Sequence, residues 1–448
     1  MTDGGKSQSR KVETTIAAEE SLSLKETIGI FLKSSRAFWQ VNIVNFGDGI
    51  AYFGVLTLLT LFISNRIGFS DNMTHISVSF FMGMVTLFML FGGFISDRFG
   101  VRHAFTISLL LLAIGRVMLV GSPVMGGAAG LMLWSSLFVM AFGEGIIQPA
   151  LYAGVKEYID PRTATIGYSI LYSIMNLGIL VETFISPFIR ERTGMEGVYW
   201  IMIILTVFLL AVNVFGFSKK VEERDRVVKP ETCKEKDARP LWEKMKELPF
   251  LNVRFLFFIF ILLPVRTLFA HQWLTLPQYM ERCYPAAVFA RYEWFQGINP
   301  LIIVIFVPVF AVLTRKVRVI TMMIIGTAVS AITTFILVPG PNVSALIFYL
   351  VVFSLGEALW SSRFLEYVAD LAPAGKVGAY MGLAGIPWFF AKMTTGLYSG
   401  KMLEHFVPAN GPVNSETMWL IYALIACISP IGLILGAKWV NRGVPRKL

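Results

Sequence analysis

Gly93-Phe94-Ile95-Ser96-Asp97-Arg98-Phe99-Gly100-Val101-Arg102-His103 stands between two long apolar runs of this 448-residue chain. Charges in the order Asp-Arg-x-Gly-x-Arg-His, directly after such a run, belong where a membrane helix meets water, because charge at bilayer depth is expensive. Gly93 is expected to let a neighbouring helix approach closely. Gly100 is expected to make the tight turn, and Asp97 to pair with Arg98, Arg102 or a helix end.

Composition agrees with a membrane setting. Hydrophobic residues make up 55% of the chain, aromatics 14% and charged residues only 15%, against about 25% charged in soluble domains. The length accommodates about twelve spans of roughly 20 residues. Apolar segments are predicted at 37–64, 73–97, 103–122, 128–157, 163–189, 197–217, 250–279, 292–314, 318–338, 341–371, 376–400 and 416–440. The net charge of +10 does not imply nucleic acid. The basic residues gather in loops on one side of alternating spans, as the positive-inside rule requires. Both termini are therefore expected in the cytoplasm, with Arg190 and Arg192 as exceptions outside. Residues 1–20 are polar, and 21–35 read as an amphipathic surface helix. No cleavable signal pattern is seen. Cys233, Cys283 and Cys427 lack metal spacing and read as free thiols.

The pattern G-x-x-x-D-R-x-G-x-R resembles the loop between helices 2 and 3 of the major facilitator superfamily of secondary transporters. The two halves also resemble each other. Gly143-Glu144, Asp160-Pro161 and Gly167-Tyr168 are matched by Gly356-Glu357, Ala372-Pro373, Gly378 and Tyr380 at nearly the same spacing. The predicted fold is an all-α membrane protein with twelve transmembrane helices in two pseudo-symmetric six-helix bundles. Its parts are a cytoplasmic segment 1–36, bundles at 37–217 and 250–440, a charged linker 218–249 and a tail 441–448.

Ionisable residues placed within spans are functional candidates by default. They are Asp48, Arg116, Glu144, Glu182, Arg266, His271, Glu357, Arg363, Glu366 and Lys392. Asp48, Glu144, Glu357 and His271 are the candidates for proton coupling. Arg116 and Lys392 read as packing or snorkelling residues. An ion pair of Arg266 with Asp48 or Glu357 is the structural alternative for those acids.

Further segments resemble the proton-dependent oligopeptide transporter family. They are Phe142 to Pro149, Tyr168 to Gly178, Glu293 to Leu301, and Gly356-Glu357 followed by Leu371-Ala372-Pro373. Three departures stand out. Where the family carries E-x-x-E-R-F-x-Y-Y on its first helix, this chain reads Asn45 to Phe53, with Asp48 kept and Gly49 in place of the arginine. The helix 4 lysine is Gln148. The helix 7 glutamate aligns near His271, which is followed by Gln272. The cations that the family sets against a peptide carboxylate are thus absent from those positions.

The resemblance implies proton-coupled transport of a peptide-like or other small organic solute, with sodium as the other possible coupling ion. Substrate contacts are expected from Tyr52, Gln148, Asn176, Gln272, Trp294, Asn299, Glu357 and Trp360. Asp97, Arg98 and Arg102 are expected to form the gate. Export of drugs, amphiphiles or siderophore-like metabolites is the second reading, and a non-transporting membrane sensor or assembly partner the third. No cofactor, metal or catalytic group is expected, and no nucleic-acid partner. The chain is expected to be a monomer in a cell membrane, a bacterial inner membrane first.

Overall fold

The computed structural model describes residues 34–159, 164–227, 253–314, 317–371 and 385–440. The expected surface helix at 21–35, Cys233 and most of the linker fall outside these residues, and so do the side chains of Asp97, Arg363 and Glu366. Among the described residues every regular element is a helix.

The helices run back and forth between a proximal face, where the first begins, and a distal face. They are α1 Arg36–Phe62, α2 Asp71–Phe99, α3 Val101–Gly121 and α4 Ala129–Tyr158. The continuous element Ala164–Ala211 is turned back on itself at Gly194 (φ 73°). Its two legs, 164–193 and 195–211, are α5 and α6. A short linker helix, Lys219–Asp225, follows. The seventh span, α7, is Val253–Ile261 continued as Leu263–Cys283. Then come α8 Tyr292–Leu313, α9 Val319–Thr333, α10 Val343–Leu371, α11 Ile386–Phe406 and α12 Ser415–Val440. Eight stretches are long and apolar enough to cross a bilayer, and two of these, Val101–Tyr158 and Ile170–Gly216, each hold two helices. In the bilayer only internally hydrogen-bonded segments of this kind are tolerated.

Helix packing displays the duplication. In the first half α1 packs on the α5–α6 element, α3 on α4 and α2 on α4; in the second α7 packs on α11, α9 on α10 and α8 on α10. Each pair is repeated six helices later, giving two pseudo-symmetric bundles. Between bundles, α2 packs on α11 and α5 on α8, again a symmetric pair. The first half's central helix, α1, is the most enclosed of the eight stretches, with 78% of its apolar window buried. Its polar residues Gln40, Asn42, Asn45 and Asp48 are buried together with its apolar ones.

Two expectations are corrected. The close approach in the opening motif is at Gly92, not Gly93. A Cβ on Gly92 would overlap the Gly145 carbonyl oxygen on α4, whereas one on Gly93 meets only Pro149 at 4.0 Å. The eleventh helix ends at Phe406 rather than residue 400. Lys401, Glu404 and His405 break the apolar run, yet they continue the helix to the distal rim, where Glu404 accepts from the Asn72 N–H at 2.9 Å and so caps the start of α2. The expected start of that helix at 376 lies outside the described residues. Gly100 does carry the left-handed turn (φ 80°), and Cys283 and Cys427 are free thiols.

Candidate functional site

The first half buries a charge cluster at the junction of α1, α3, α4 and α6. Arg116 Nη2 lies 3.2 Å from Glu144 Oε1 and 3.8 Å from Asp48 Oδ1. Its Nη1 donates to the Thr206 hydroxyl. All three charged residues are at most 2% exposed. Arg116 is therefore neither a packing nor a snorkelling residue. It is the counterion that lets two carboxyl groups share the bundle core. Two carboxyl groups facing one guanidinium leave the cluster one negative charge in excess unless it holds a proton. The proposed pairing of Asp48 or Glu357 with Arg266 does not occur.

A small cleft near this cluster, with about 10 Å³ of space, is lined by Asn45, Gln148, Leu151, Tyr152, Leu171, Tyr172 and Met175. That is room for about one water. Asn45 donates to the Leu171 carbonyl at 2.6 Å, and Asn176 to the Tyr172 carbonyl at 2.9 Å. Tyr52, half-buried, packs against Phe53 and Phe81. Gly49 shows why the family's arginine has no place here. A Cβ at Gly49 would stand 2.9 Å from the Met175 carbonyl oxygen, and one at Gly178 would stand 2.5 Å from that of Phe46. Helices α1 and α5 touch backbone to backbone where a long side chain would have to pass.

In the second half, Glu357 on α10 is half-buried and accepts from Asn299 Nδ2 of α8 at 2.6 Å. Asn299 also donates to Ser354 at 3.1 Å. Two of the sequence-derived candidates, Glu357 and Asn299, are thus brought together. His271 goes elsewhere. It is 1% exposed, stacked on Tyr422 with ring centroids 3.8 Å apart, and bonded to Thr275 and Tyr398 at 2.8 and 3.0 Å. Those contacts belong to the interior of the second bundle, among α7, α11 and α12. The Gln272 carbonyl accepts from Gln296 at 2.8 Å. Trp360 is buried against Arg266. Trp294 is exposed at the distal meeting of α5 and α8, against Phe184 and Phe188.

The bundles are latched on the distal side. Arg282 holds Asp71 through two nitrogens at 2.6 and 2.7 Å. Gln278 bonds Asp71, and His75 joins Gln278 to Ser399, both at 2.7 Å. Arg190 pairs with Glu293 at 2.6 Å, and Arg291 with Glu191. The seam continues to the Lys392–Thr86 hydrogen bond, 3.0 Å, near the middle of α2. Among the described residues α4 does not pack comparably on α10 toward the proximal face. There the expected gate residues stay within their own half: Arg102 lies 3.6 Å from Glu222 of the linker helix, and Arg98 sits over Phe99. Arg226 links Glu222 to Glu157. The sequence reading missed Glu222, Arg226 and the Asp71–Arg282 latch, because Arg102 and Glu157 are remote in the chain from the linker helix, as Asp71 is from Arg282.

The family model of the Major Facilitator Superfamily matches residues 41–283. Peptide transporter family 1 of Caenorhabditis elegans is 26% identical over 182 residues, 38% of this chain and 22% of that protein. Dipeptide and tripeptide permease B of Photorhabdus luminescens is 23% identical over 192 residues, 42% of this chain and 38% of that protein. The matched stretch thus spans well under two thirds of these relatives. Among solved structures, a peptide transporter of the POT family in complex with sulfate has a TM-score of 0.73 at 18% identity, covering 92% of this chain and 96% of its own. A POT family transporter in complex with 5-aminolevulinic acid gives 0.74 at 16%, covering 91% and 97%. These likenesses establish the shared fold, and the family match covers more than half of the chain. With its helices, its duplicated bundles and this match together, the chain is a multi-pass membrane protein that belongs to the Major Facilitator Superfamily.

Proposed function

We propose that this protein is a proton-coupled secondary transporter of a peptide-like or other small organic solute, working by alternating access. The observation that carries the reading is the Asp48–Arg116–Glu144 cluster, two acids on one buried cation. Taking up one proton neutralises it, and releasing that proton restores a buried negative charge. Buried charge is costly, so protonation is tied to which arrangement of the bundle is favoured. Glu357, held by Asn299 in the opposite bundle, is the contact for a substrate amino group. The curated relatives named as peptide permeases, and the related structure named with 5-aminolevulinic acid, support a solute carrying both an amine and an acid.

The proximal face is cytoplasmic in this reading. Lys and Arg at that face are in excess, as inside-facing loops require. Four of the distal arginines, Arg66, Arg190, Arg282 and Arg291, are each matched by an acid. The conformation, latched distally, is then the inward-facing one, and a bacterial inner membrane is the assigned location. Export of amphiphiles is a second reading, favoured by one observation: Gly49 and Gln148 place no cation in the cleft of the first half.

The test is flux in proteoliposomes with di- and tripeptides, amino acids and cationic amphiphiles, with and without an inward-acid gradient, repeated with Glu357→Gln. Gradient-driven peptide accumulation that the substitution abolishes is the expected result. Amphiphile flux without peptide flux would replace this reading with the second.

A further inference from the structure

Peptide-like solutes carry a carboxylate, and the cleft of the first half offers it no cation. Two cations stand in the other half. Arg266 of α7 is fully buried, and none of its three guanidinium nitrogens has a hydrogen-bond partner among the described residues. Its charge faces three rings instead: Phe364 at 4.3 Å, Trp388 at 4.7 Å and Trp360 at 5.8 Å. Ring faces attract a cation, but they do not fill the five-donor fork of a guanidinium, whose shape matches a carboxylate. The second cation, Lys392 of α11, follows Trp388 by four residues and so lies on the same helix face. The only hydrogen bond of its ammonium among the described residues is to Thr86 across the seam between bundles, and no carboxylate there pairs with it.

The rings also relate Arg266 to Glu357. Glu357, Trp360 and Phe364 are spaced i, i+3, i+7 on α10 and share one face. At 1.5 Å of rise per residue, the acid stands about 5–10 Å along the helix from the rings around Arg266. Phe364 and Trp360 are 4% and 2% exposed, whereas Trp388 is only half-buried. Trp388 is therefore the ring whose movement would open Arg266 to a ligand.

We propose that Arg266 and Lys392 form an anion subsite for the carboxylate of the transported solute, with Glu357 holding its amine. The anion-binding charge has thus moved from the first bundle, where Gly49 and Gln148 stand, to the second. The substrate class is a zwitterion whose charges lie about 5–10 Å apart, the span of a short peptide. This deepens the transport reading and rests on it for the word "transported".

The experiment titrates the full chain in nanodiscs, following tryptophan fluorescence and thermal stability. The probes are alanylalanine, alanylalanine amide and N-acetylalanine. Wild type is expected to prefer alanylalanine to its amide and to bind N-acetylalanine. Arg266→Gln is expected to weaken both acids about ten- to a hundredfold and leave the amide unchanged, with Arg266→Lys in between. Lys392→Met, which keeps the three rings, is expected to weaken the acids more mildly and carries the comparison if Arg266→Gln does not fold. Acids bound equally by wild type and both variants, or no preference of wild type for acid over amide, would overturn the subsite. Arg266-dependent acid binding without flux would retain the subsite and overturn transport. Flux of alanylalanine undiminished in Arg266→Gln would do the reverse.

Discussion

Arg116→Met tests the buried cluster most directly. Arg116 Nη2 stands 3.2 Å from Glu144 and 3.8 Å from Asp48. At an effective dielectric constant of about 20, Coulomb's law gives roughly 5 and 4 kcal/mol for these pairs. Dehydration of the guanidinium offsets much of that sum. Removing one partner of a buried pair is still costly, about 3–5 kcal/mol, because it strands charge without compensation. Here it strands two carboxyl groups and removes the donor to the Thr206 hydroxyl, which keeps its own bond to the Met202 carbonyl. The expected outcome is a loss of about 3–5 kcal/mol in unfolding measured by tryptophan fluorescence in nanodiscs. Adding Asp48→Asn to Arg116→Met should then cost less than it does in wild type, with a coupling of about 1–3 kcal/mol. The reasoning fails if Arg116→Met lies within about 0.5 kcal/mol of wild type, or if the two substitutions add independently.

Three further outcomes follow from other contacts. Gly49→Ala places a methyl 2.9 Å from the Met175 carbonyl oxygen and should cost about 1–3 kcal/mol of stability, while Gly49→Arg should fail to yield folded protein in size-exclusion assays rather than restore the family's cation. Asp71→Asn weakens the two-nitrogen grip of Arg282 and should release the distal latch, read as slower disulfide cross-linking of Asn65→Cys with Glu281→Cys, at a pair where Asn65 donates to Glu281 at 2.8 Å across the bundles, than in the unsubstituted background. Asp225 lies outside the spans. Burial pushes its carboxyl up, but hydrogen bonds from Arg224 and from the Ala37 and Arg36 N–H groups outweigh this and hold it below its ordinary range. Its contribution is therefore complete above about pH 4 and is lost as pH falls through the depressed value. Asp225→Asn should cost about 0.5–1 kcal/mol at pH 7, and the gap to wild type should close as unfolding is measured toward pH 2.

The order of apolar runs, the charges at 97–103 and the paired Gly-Glu marks at 143–144 and 356–357 sufficed to read twelve helices in two related halves. Hydropathy reports on solvent, and a membrane helix satisfies its own backbone, so each span is legible from its own residues. Glu357 and Asn299 were legible as site candidates, because both lie in segments resembling one family, but their contact appeared only in the packing of α8 on α10. Where the remaining charges went was not. Arg116 and Arg266 look alike in sequence, each a lone arginine in an apolar run. Packing of α3 against α1, α4 and α6 gives Arg116 two acids and a hydroxyl, whereas packing of α7 against α10 and α11 gives Arg266 three rings. His271 and Trp294 likewise depend on helix rotation, which turns one into the second bundle and the other out to the distal surface. Helical spacing tells which residues share a face. Which remote helix that face meets is decided only when twelve helices pack together.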